Sequence, residues 1–300
     1  MDGIAVTVRV PATSANLGAG FDCLGLALDL FAEITVTFCD AELPPTEDVG
    51  EKMVLTAARN AYSRMGKTPP AMQVRYTVSI PLGRGLGASA VARVAGVLAA
   101  NEKEGHPLDE DTCMQIASDL EGHGDNACPA LFGGLQVCVE SEGRYIRVPG
   151  RFPSNVQIVL LIPDSSLATK EARKALPESY SRADAVFNTG RAALFVAAMA
   201  AGRLEALDEA TQDRLHQPYR AELFPPLLDI FASAKRAGAH GVWLSGAGSS
   251  VAAICGEDTS RQVATAMLDT LKAAGVGGRT LITRIAPHGA EVAKVELVTL

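Results

Sequence analysis

The feature that most constrains this chain is the stretch 81–90, where three glycines lie between a strand pattern and a helix pattern. Before this stretch, apolar residues alternate with polar ones at Val74, Tyr76, Val78 and Ile80. After it, apolar residues recur at helical spacing at Val91, Val94, Ala95 and Leu98. The two periods predict a strand that Pro81 ends, because proline has no N–H to donate, and a helix that begins near Ala88.

The three glycines of this stretch predict a turn that holds an anion. Gly83, Gly85 and Gly87 have no Cβ, so each can take the positive φ of a tight turn. Successive N–H groups then point into one concavity, and the first-turn amides of the helix add partial positive charge, so a phosphate fits there. Ser89 can offer its hydroxyl to a phosphate oxygen or to Mg²⁺. The glycine offsets match neither a Walker loop nor a dinucleotide fingerprint, and a turn without a ligand remains the alternative.

Length, charge and cysteine usage restrict the class of protein. Three hundred residues suit two domains, and the linker-like stretch 149–153 predicts domains at 1–150 and 151–300. A net charge of −7 argues against a broad nucleic-acid or membrane surface, and the apolar run at 156–162 is too short to cross a bilayer. The six cysteines form no C-x-x-C pair and are expected to be reduced and buried, and a cytoplasmic location is expected.

Two further segments are dense in polar groups. In residues 11–28, Asn16 and Asp22 are flanked by apolar residues that would bury the segment, and a buried carboxylate needs a partner. Residues 121–126 bring together an acid, an imidazole, a second acid and an amide, at Glu121, His123, Asp125 and Asn126. The density of these groups predicts a functional site, and solvated polar residues at a helix end are the alternative.

These segments resemble the GHMP kinases, the small-molecule kinases that include galactokinase, homoserine kinase, mevalonate kinase and phosphomevalonate kinase. The pattern Pro-x-x-x-Gly-Leu-Gly-x-Ser-Ala at 81–90 is similar to their phosphate-binding motif, and residues 243–254 resemble their third motif. Four segments are similar to the homoserine kinase branch in particular, at 11–22, 121–134, 169–177 and 215–220. This chain departs from the usual pattern at Ala88, Gly124 and Ser249.

The resemblance implies an α+β, two-domain GHMP kinase fold. Its N-terminal domain would be like domain 2 of ribosomal protein S5 and carry the phosphate loop, and its C-terminal domain would be ferredoxin-like. The implied activity is the ATP-dependent phosphorylation of the side-chain hydroxyl of L-homoserine to O-phospho-L-homoserine, in threonine biosynthesis. ATP is the expected co-substrate and Mg²⁺ the expected metal. A homodimer is also expected, with no nucleic-acid or membrane partner.

The resemblance also implies roles for individual residues. The ATP-binding residues would be Pro81, Leu82, Gly83, Arg84, Gly85, Leu86, Gly87, Ala88, Ser89 and Ala90. The substrate-binding residues would be Asn16, Asp22, His123, Asn126, Thr169, Arg173 and Arg220. Ser89 and Glu121 would hold the metal, and the catalytic residues would be Glu121, His123 and Asn126.

The resemblance further implies that the two charged ends of the substrate meet protein residues of opposite charge. Asp22 would pair with the ammonium of homoserine, and Arg173 and Arg220 would take its carboxylate, because the planar guanidinium suits a carboxylate. No carboxylate base is expected, and Asp125 is the obvious candidate for the contrary view. Two alternatives stay open. One is a sister GHMP kinase that acts on another small alcohol, and the other is a relative that binds nucleotide without catalysis.

Overall fold

The computed structural model describes residues 2–40 and 44–299, which form two sheets and the helices around them. The first sheet contains β1 (Asp2–Ala15), β2 (Leu24–Cys39), β3 (Ala71–Val78), β4 (Leu135–Ser141), β5 (Arg144–Gly150) and the last strand, β10 (Glu291–Thr299). The second contains β6 (Val156–Pro163), β7 (Gly241–Leu244), β8 (Val251–Gly256) and β9 (Gly278–Thr283).

The helices of the first half are α1 (Val49–Arg64), α2 (Ala88–Lys103), α3 (Glu110–Glu121) and α4 (Ala127–Phe132). The second half has α5 (Thr169–Lys174), α6 (Arg182–Ala201), a 3-10 turn (Leu204–Ala206), α7 (Leu207–Ala210), α8 (Gln217–Ala221), α9 (Leu227–Arg236) and α10 (Ser260–Ala273). Within the described ranges, no helix combines the length and the apolar character that a membrane crossing requires.

The first sheet is antiparallel and runs in the order β10-β1-β2-β4-β5. β2 is long enough to serve two neighbours on one edge, because Leu24–Leu26 pairs with β4 and Glu33–Cys39 pairs with β3. β1 extends to Ala15, so the first part of the polar segment that begins at residue 11 is strand and not loop. Because of this extension, the first part of that segment lies within the sheet and leads to the end of β1, near which the site forms.

Helix α2 begins at Ala88, as the period of its apolar residues predicts. Val91, Val94 and Ala95 are buried against the first sheet and α1. Each fully buried valine side chain contributes on the order of 1.5–3 kcal/mol, which holds the helix N-terminus in place. The next helix, α3, begins after Asp109, whose carboxylate accepts a hydrogen bond from the Thr112 N–H, as a capping residue does.

The second sheet runs in the order β7-β8-β6-β9 and is antiparallel throughout. Its strands and helices follow the order βαββαβ, the ferredoxin-like arrangement. The strand β6 is apolar at every position from 158 to 162 because both of its faces are covered. Ile158 and Leu160 pack into the core shared with the first half, while Val159 and Leu161 belong to a second core that includes residues of α10, which contacts β6, and of α9.

Two features of the fold do not follow from the sequence pattern. The final strand, β10, leaves the second half and pairs with β1, so the first sheet contains both the beginning and the end of the described chain. The boundary between 1–150 and 151–300 therefore stays a prediction. In α6 the buried stripe is narrow: Phe195 is buried, whereas Val186 is 67% exposed although it is apolar.

Candidate active site

A cleft of about 560 Å³ lies where the glycine stretch meets the loop after α3, the helix α5 and the helix α8. Most of the predicted site residues line it, namely Asn16, Asp22, Leu82, Gly83, Gly85, Leu86, Gly87, Ala88, Ser89, Glu121, His123, Asn126, Thr169, Arg173 and Arg220. Three predicted ATP-binding residues, Pro81, Arg84 and Ala90, are not among the residues that line the cleft. Of these, Arg84 donates to the Asp164 carbonyl at 2.5 Å, and Ala90 is fully buried in the core.

The glycine stretch has the backbone that its composition predicts. Gly83, Gly85 and Gly87 have φ values of 68°, 70° and 69°. A Cβ on Gly85 would lie 2.0 Å from the Ser245 carbonyl oxygen, and one on Gly87 would lie 1.8 Å from the Thr13 hydroxyl. The loop is therefore clamped between the first strand and the loop before β8, with no room for side chains at these two positions.

The clamped loop opens onto the N-terminus of α2. No side chain caps this helix, whose first-turn N–H groups carry partial positive charge. Thr13 fastens the loop from the side, because its backbone N–H donates to the Leu86 carbonyl at 3.1 Å and its hydroxyl donates to Asn126 Oδ1 at 2.7 Å. The arrangement is a rigid concavity that suits a phosphate.

Two oxygen donors stand beside this concavity. The Ser89 hydroxyl donates to Glu121 Oε2 at 3.0 Å, and Arg93 Nη1 lies 2.5 Å from Glu121 Oε1. The Glu121 side chain is only 8% exposed. Burial raises the pKa of Glu121, and the nearby Arg93 and the Ser89 hydrogen bond oppose that rise. A hydroxyl and a largely buried carboxylate next to a phosphate site are a donor set that fits Mg²⁺.

The opposite end of the cleft is made of charged side chains from distant parts of the chain. Asp22 and Arg173 form a bidentate pair, with Arg173 Nη1 at 3.0 Å from Oδ2 and Nη2 at 2.8 Å from Oδ1. The Asp22 side chain is 33% exposed and that of Arg173 is 40% exposed, so water screens this pair in part. The hydrogen bond to Asp22 raises the pKa of Arg173.

Arg220 lies deeper than Arg173 and is 2% exposed. Its Nε donates to the Ala172 carbonyl at 3.3 Å, and its Nη1 donates to the Gly246 carbonyl at 3.0 Å and to His216 Nδ1 at 3.2 Å. Within the described part of the chain, no carboxylate oxygen lies within ion-pair distance of this guanidinium. Burial, followed by the neighbouring Arg173, lowers the pKa of Arg220 to about 10. The buried cation is thus short of negative charge.

His216 orients this arginine. Its Nε2 donates to the Gly18 carbonyl at 2.8 Å, which leaves Nδ1 to accept from Arg220. Burial lowers the pKa of His216, and a neutral ring is what this pattern requires. Asp213 fixes the backbone that carries this ring by accepting the backbone N–H of His216 at 2.9 Å and of Gln217 at 2.6 Å, and its Oδ2 lies 3.5 Å from His216 Nε2.

The loop after α3 lies between the two ends of the cleft. Asp125 is 2% exposed, and its Oδ1 pairs with His123 Nδ1 and accepts from Asn126 Nδ2 at 3.3 Å. Burial lowers the pKa of His123, but the hydrogen bond to Asp125 and the nearby carboxylates outweigh burial, so the pKa is raised overall. Asn16 shapes this region too, by donating to the Gly246 carbonyl at 2.8 Å and accepting the Asp22 N–H at 3.0 Å.

Several lining residues were missed by the sequence-based prediction of the site: Val49, Met53, Arg93, Lys170, Gly246 and Ala247. Asp125, which belongs to the predicted polar segment 121–126 but was given no role in binding or catalysis, also lines the cleft. Arg93 had a readable signal, since it lies one helical turn after Ser89 and so on the same side of α2. Gly246 and Ala247 lie in the third motif, which the resemblance implies is near the active site, although neither residue was assigned a role. Val49 and Met53 lie on α1 and had no signal beyond an ordinary helix pattern.

Comparisons with known proteins give consistent results. Residues 52–134 match the model of the GHMP kinases N terminal domain, and residues 195–273 match that of the GHMP kinases C terminal domain. The homoserine kinase of Gloeobacter violaceus is 45% identical over 88% of this chain and 92% of that protein, and the homoserine kinase of Synechocystis sp. is 39% identical over 97% and 99%. The crystal structure of homoserine kinase from Cytophaga hutchinsonii superimposes with a TM-score of 0.87 at 27% identity, over 97% of each chain.

Proposed function

This chain belongs to the homoserine kinases of the GHMP kinase family, and from that premise we propose that it transfers the γ-phosphoryl group of ATP to the side-chain hydroxyl of L-homoserine. The product is O-phospho-L-homoserine, consistent with a role in threonine biosynthesis. The fold is the two-domain GHMP kinase fold, and the chain is a phosphotransferase of that family. The cytoplasmic location and the homodimer stay predictions.

The phosphate end of the cleft supports the nucleotide half of this proposal. Phosphoryl transfer needs alignment and charge stabilisation more than covalent chemistry from the protein. The amides of the glycine stretch and of the first turn of α2 would hold the phosphates. Ser89 and Glu121 would hold Mg²⁺, which when bound neutralises charge on the phosphate oxygens.

The buried, undercompensated Arg220 is the observation that carries the substrate half. A cation that burial disfavours, with its Nε and Nη1 held by carbonyl oxygens and an imidazole, gains from a negative partner that the substrate brings. A carboxylate is such a partner, and the fork of a guanidinium matches its two oxygens. A neutral alcohol would leave the positive charge of Arg220 without a negative partner.

The pair of Asp22 and Arg173 supports a zwitterion more strongly than a simple acid. A zwitterion presents an ammonium and a carboxylate, so it can exchange partners with this ion pair and leave all charges matched. An uncharged alcohol that separated the pair would leave two charges unpaired. The amino acid end therefore favours homoserine over the isoprenoid and sugar alcohols of the sister kinases.

The chain's own residues would then orient the hydroxyl and handle its proton. Asn126 and His123 lie between the two ends, with His123 bonded to Asp125. Both of these neighbours contact the same oxygen of Asp125, Oδ1, and the family resemblance gives this position no role as a base. The proton of the hydroxyl would pass to the phosphate oxygens or to water rather than to a carboxylate base.

A substrate panel tests the proposal. ADP release is measured with homoserine, 2-amino-1,4-butanediol, 4-hydroxybutanoate, mevalonate and galactose. Homoserine should be turned over, and loss of the carboxylate should lower kcat/KM about a hundredfold, because it leaves the buried Arg220 unpaired. Loss of the ammonium should lower it less, about tenfold, because Asp22 is partly exposed. Equal turnover of mevalonate or galactose would indicate a sister kinase, and nucleotide binding without transfer to any alcohol would indicate a non-catalytic relative.

A further inference from the structure

Arg93 occupies an unusual place beside the metal-binding carboxylate that the proposed function requires. Ser89 and Arg93 lie one turn apart on α2, and both reach Glu121 at the end of α3. Each oxygen of the carboxylate has its own partner, Oε2 the hydroxyl and Oε1 the guanidinium. The Arg93 side chain is 19% exposed and lines the cleft, so this cation belongs to the site and not to the outer surface.

The ion pair changes what the metal site attracts. A carboxylate alone draws a bare divalent cation, whereas a carboxylate that is already neutralised by a guanidinium presents no net negative charge to it. A complex of a divalent cation with ATP carries net negative charge, so it is attracted by the extra cation instead. His123 and Asp125 also act on Glu121 electrostatically, but with opposite signs, so Arg93 is the cation that decides the balance.

We propose that Arg93 makes the Ser89–Glu121 site selective for the metal–nucleotide complex over the free divalent cation. The inference rests on the proposed function, because it assigns Ser89 and Glu121 to the metal that accompanies ATP. Arg93 acts here as a specificity-determining residue, through its charge on Glu121 and on the incoming phosphates. Its removal should therefore have two effects of opposite sign.

The experiment measures binding without any homoserine. Binding of MnCl₂ alone is followed by electron paramagnetic resonance, and binding of the manganese complex of a non-hydrolysable ATP analogue is followed by calorimetry. In Arg93→Met, which keeps the aliphatic stem, free Mn²⁺ should bind about tenfold more tightly and the nucleotide complex about tenfold more weakly. Arg93→Lys keeps the charge and should restore most of the original selectivity.

A matched control is available on the same helix. Lys103 at the other end of α2 also pairs with a largely buried glutamate, Glu104, at 2.6 Å. Lys103→Met should change neither binding constant, and thermal unfolding of each variant shows whether the fold is intact. If Arg93→Met bound both free Mn²⁺ and the nucleotide complex more weakly, Arg93 would only support the structure. If it bound both as the native protein does, Arg93 would play no part in selectivity. Either result overturns the proposal.

The outcome is separable from that of the proposed function. Failure of the native enzyme to phosphorylate homoserine would remove the assigned substrate while leaving the two manganese measurements interpretable. Conversely, normal phosphorylation together with parallel changes in the two binding constants would reject the role of Arg93 alone.

Discussion

The two ends of the cleft are built by different means. The phosphate end uses backbone amides from one continuous stretch, 81–90, and needs side chains mainly at Ser89 and Glu121. The amino acid end uses side chains that come from far apart, as in the pair of Asp22 and Arg173, which are 151 positions apart. The glycine loop of the first end should therefore be sensitive to an added Cβ, whereas Glu121 beside that loop and the whole second end should be sensitive to a removed charge.

The largest effect is expected for the carboxylate at the phosphate end. Glu121→Gln keeps the shape and one oxygen but removes the charge, so kcat/KM should fall by about a hundredfold to a thousandfold. The fold should survive, and thermal unfolding checks that it does. A variant whose turnover keeps the magnesium dependence of the native enzyme would remove Glu121 from the metal site.

A Cβ in the glycine loop should come next. In Gly87→Val the new side chain meets the Thr13 hydroxyl at 1.8 Å and takes a φ of +69°, so ATP affinity should fall about a hundredfold, far more than homoserine affinity. Gly66→Val is the control, since Gly66 has a φ of +68° with nothing within 4 Å. It carries the backbone strain without the clash. Calorimetry that shows equal losses for both ligands in Gly87→Val would mean general unfolding.

Removal of the buried arginine tests the amino acid end. Arg220→Ala should raise the KM for homoserine about a hundredfold and leave the KM for ATP almost unchanged, because a buried charged partner of the carboxylate is lost. Some loss of stability is also expected, since Arg220 holds the carbonyls of Ala172 and Gly246. Steady-state kinetics give both constants. An undisturbed homoserine KM would argue for a sister kinase.

The exposed arginine should matter less, which sharpens the comparison within the amino acid end. Arg173→Ala should raise the homoserine KM only about tenfold, because water screens a partly exposed pair. Lys174→Ala is a matched control, since the neighbouring Lys174 pairs with Glu171 and is 63% exposed. Kinetics of both variants decide the ranking. A larger rise in the homoserine KM for Arg173→Ala than for Arg220→Ala would mean that the exposed arginine, and not the buried one, contributes more to substrate binding.

The smallest effect on activity is expected for Asp125, which lies between the two ends of the cleft. Asp125→Asn keeps the hydrogen-bonding shape and should lower kcat by less than about tenfold, because no carboxylate base is expected to operate. The measurement is kcat at saturating ATP and homoserine, with circular dichroism to check the fold. A loss of several orders of magnitude in kcat with little change in KM would establish Asp125 as the base.

One departure from the family pattern has a local cause. Gly124 stands where the family usually has proline, and the structure shows that a Cβ at this position would lie 2.3 Å from Cys138 Sγ. Cys138 thus fills the space beneath the loop that a side chain at position 124 would need, and its thiol would have to move to admit one. Five of the six cysteines are buried, as the sequence predicts, and Cys23 is partly exposed.

Local features of the sequence were enough to predict the presence of strand β3, the positive-φ glycines and the helix start at Ala88, because each depends on the conformational preferences and periodicity of neighbouring residues. The predicted end of that strand at Pro81 was wrong, because the ladder between β3 and β2 already ends at Val78. The same features, with the family resemblance, predicted the kinase fold and most residues that line the cleft. They did not predict the return of β10 to the first sheet, since strand pairing between distant segments leaves no local pattern.

The sequence by itself determined the glycine loop of the phosphate end, because the backbone amides of this loop all come from one continuous stretch of the chain. Only the tertiary structure decided the electrostatics of the site: that Asp22 pairs with Arg173, that Arg220 is buried beside neutral His216, and that Arg93 reaches Glu121. Burial and distance set the strength of each of these interactions, and both depend on how separate elements pack against one another.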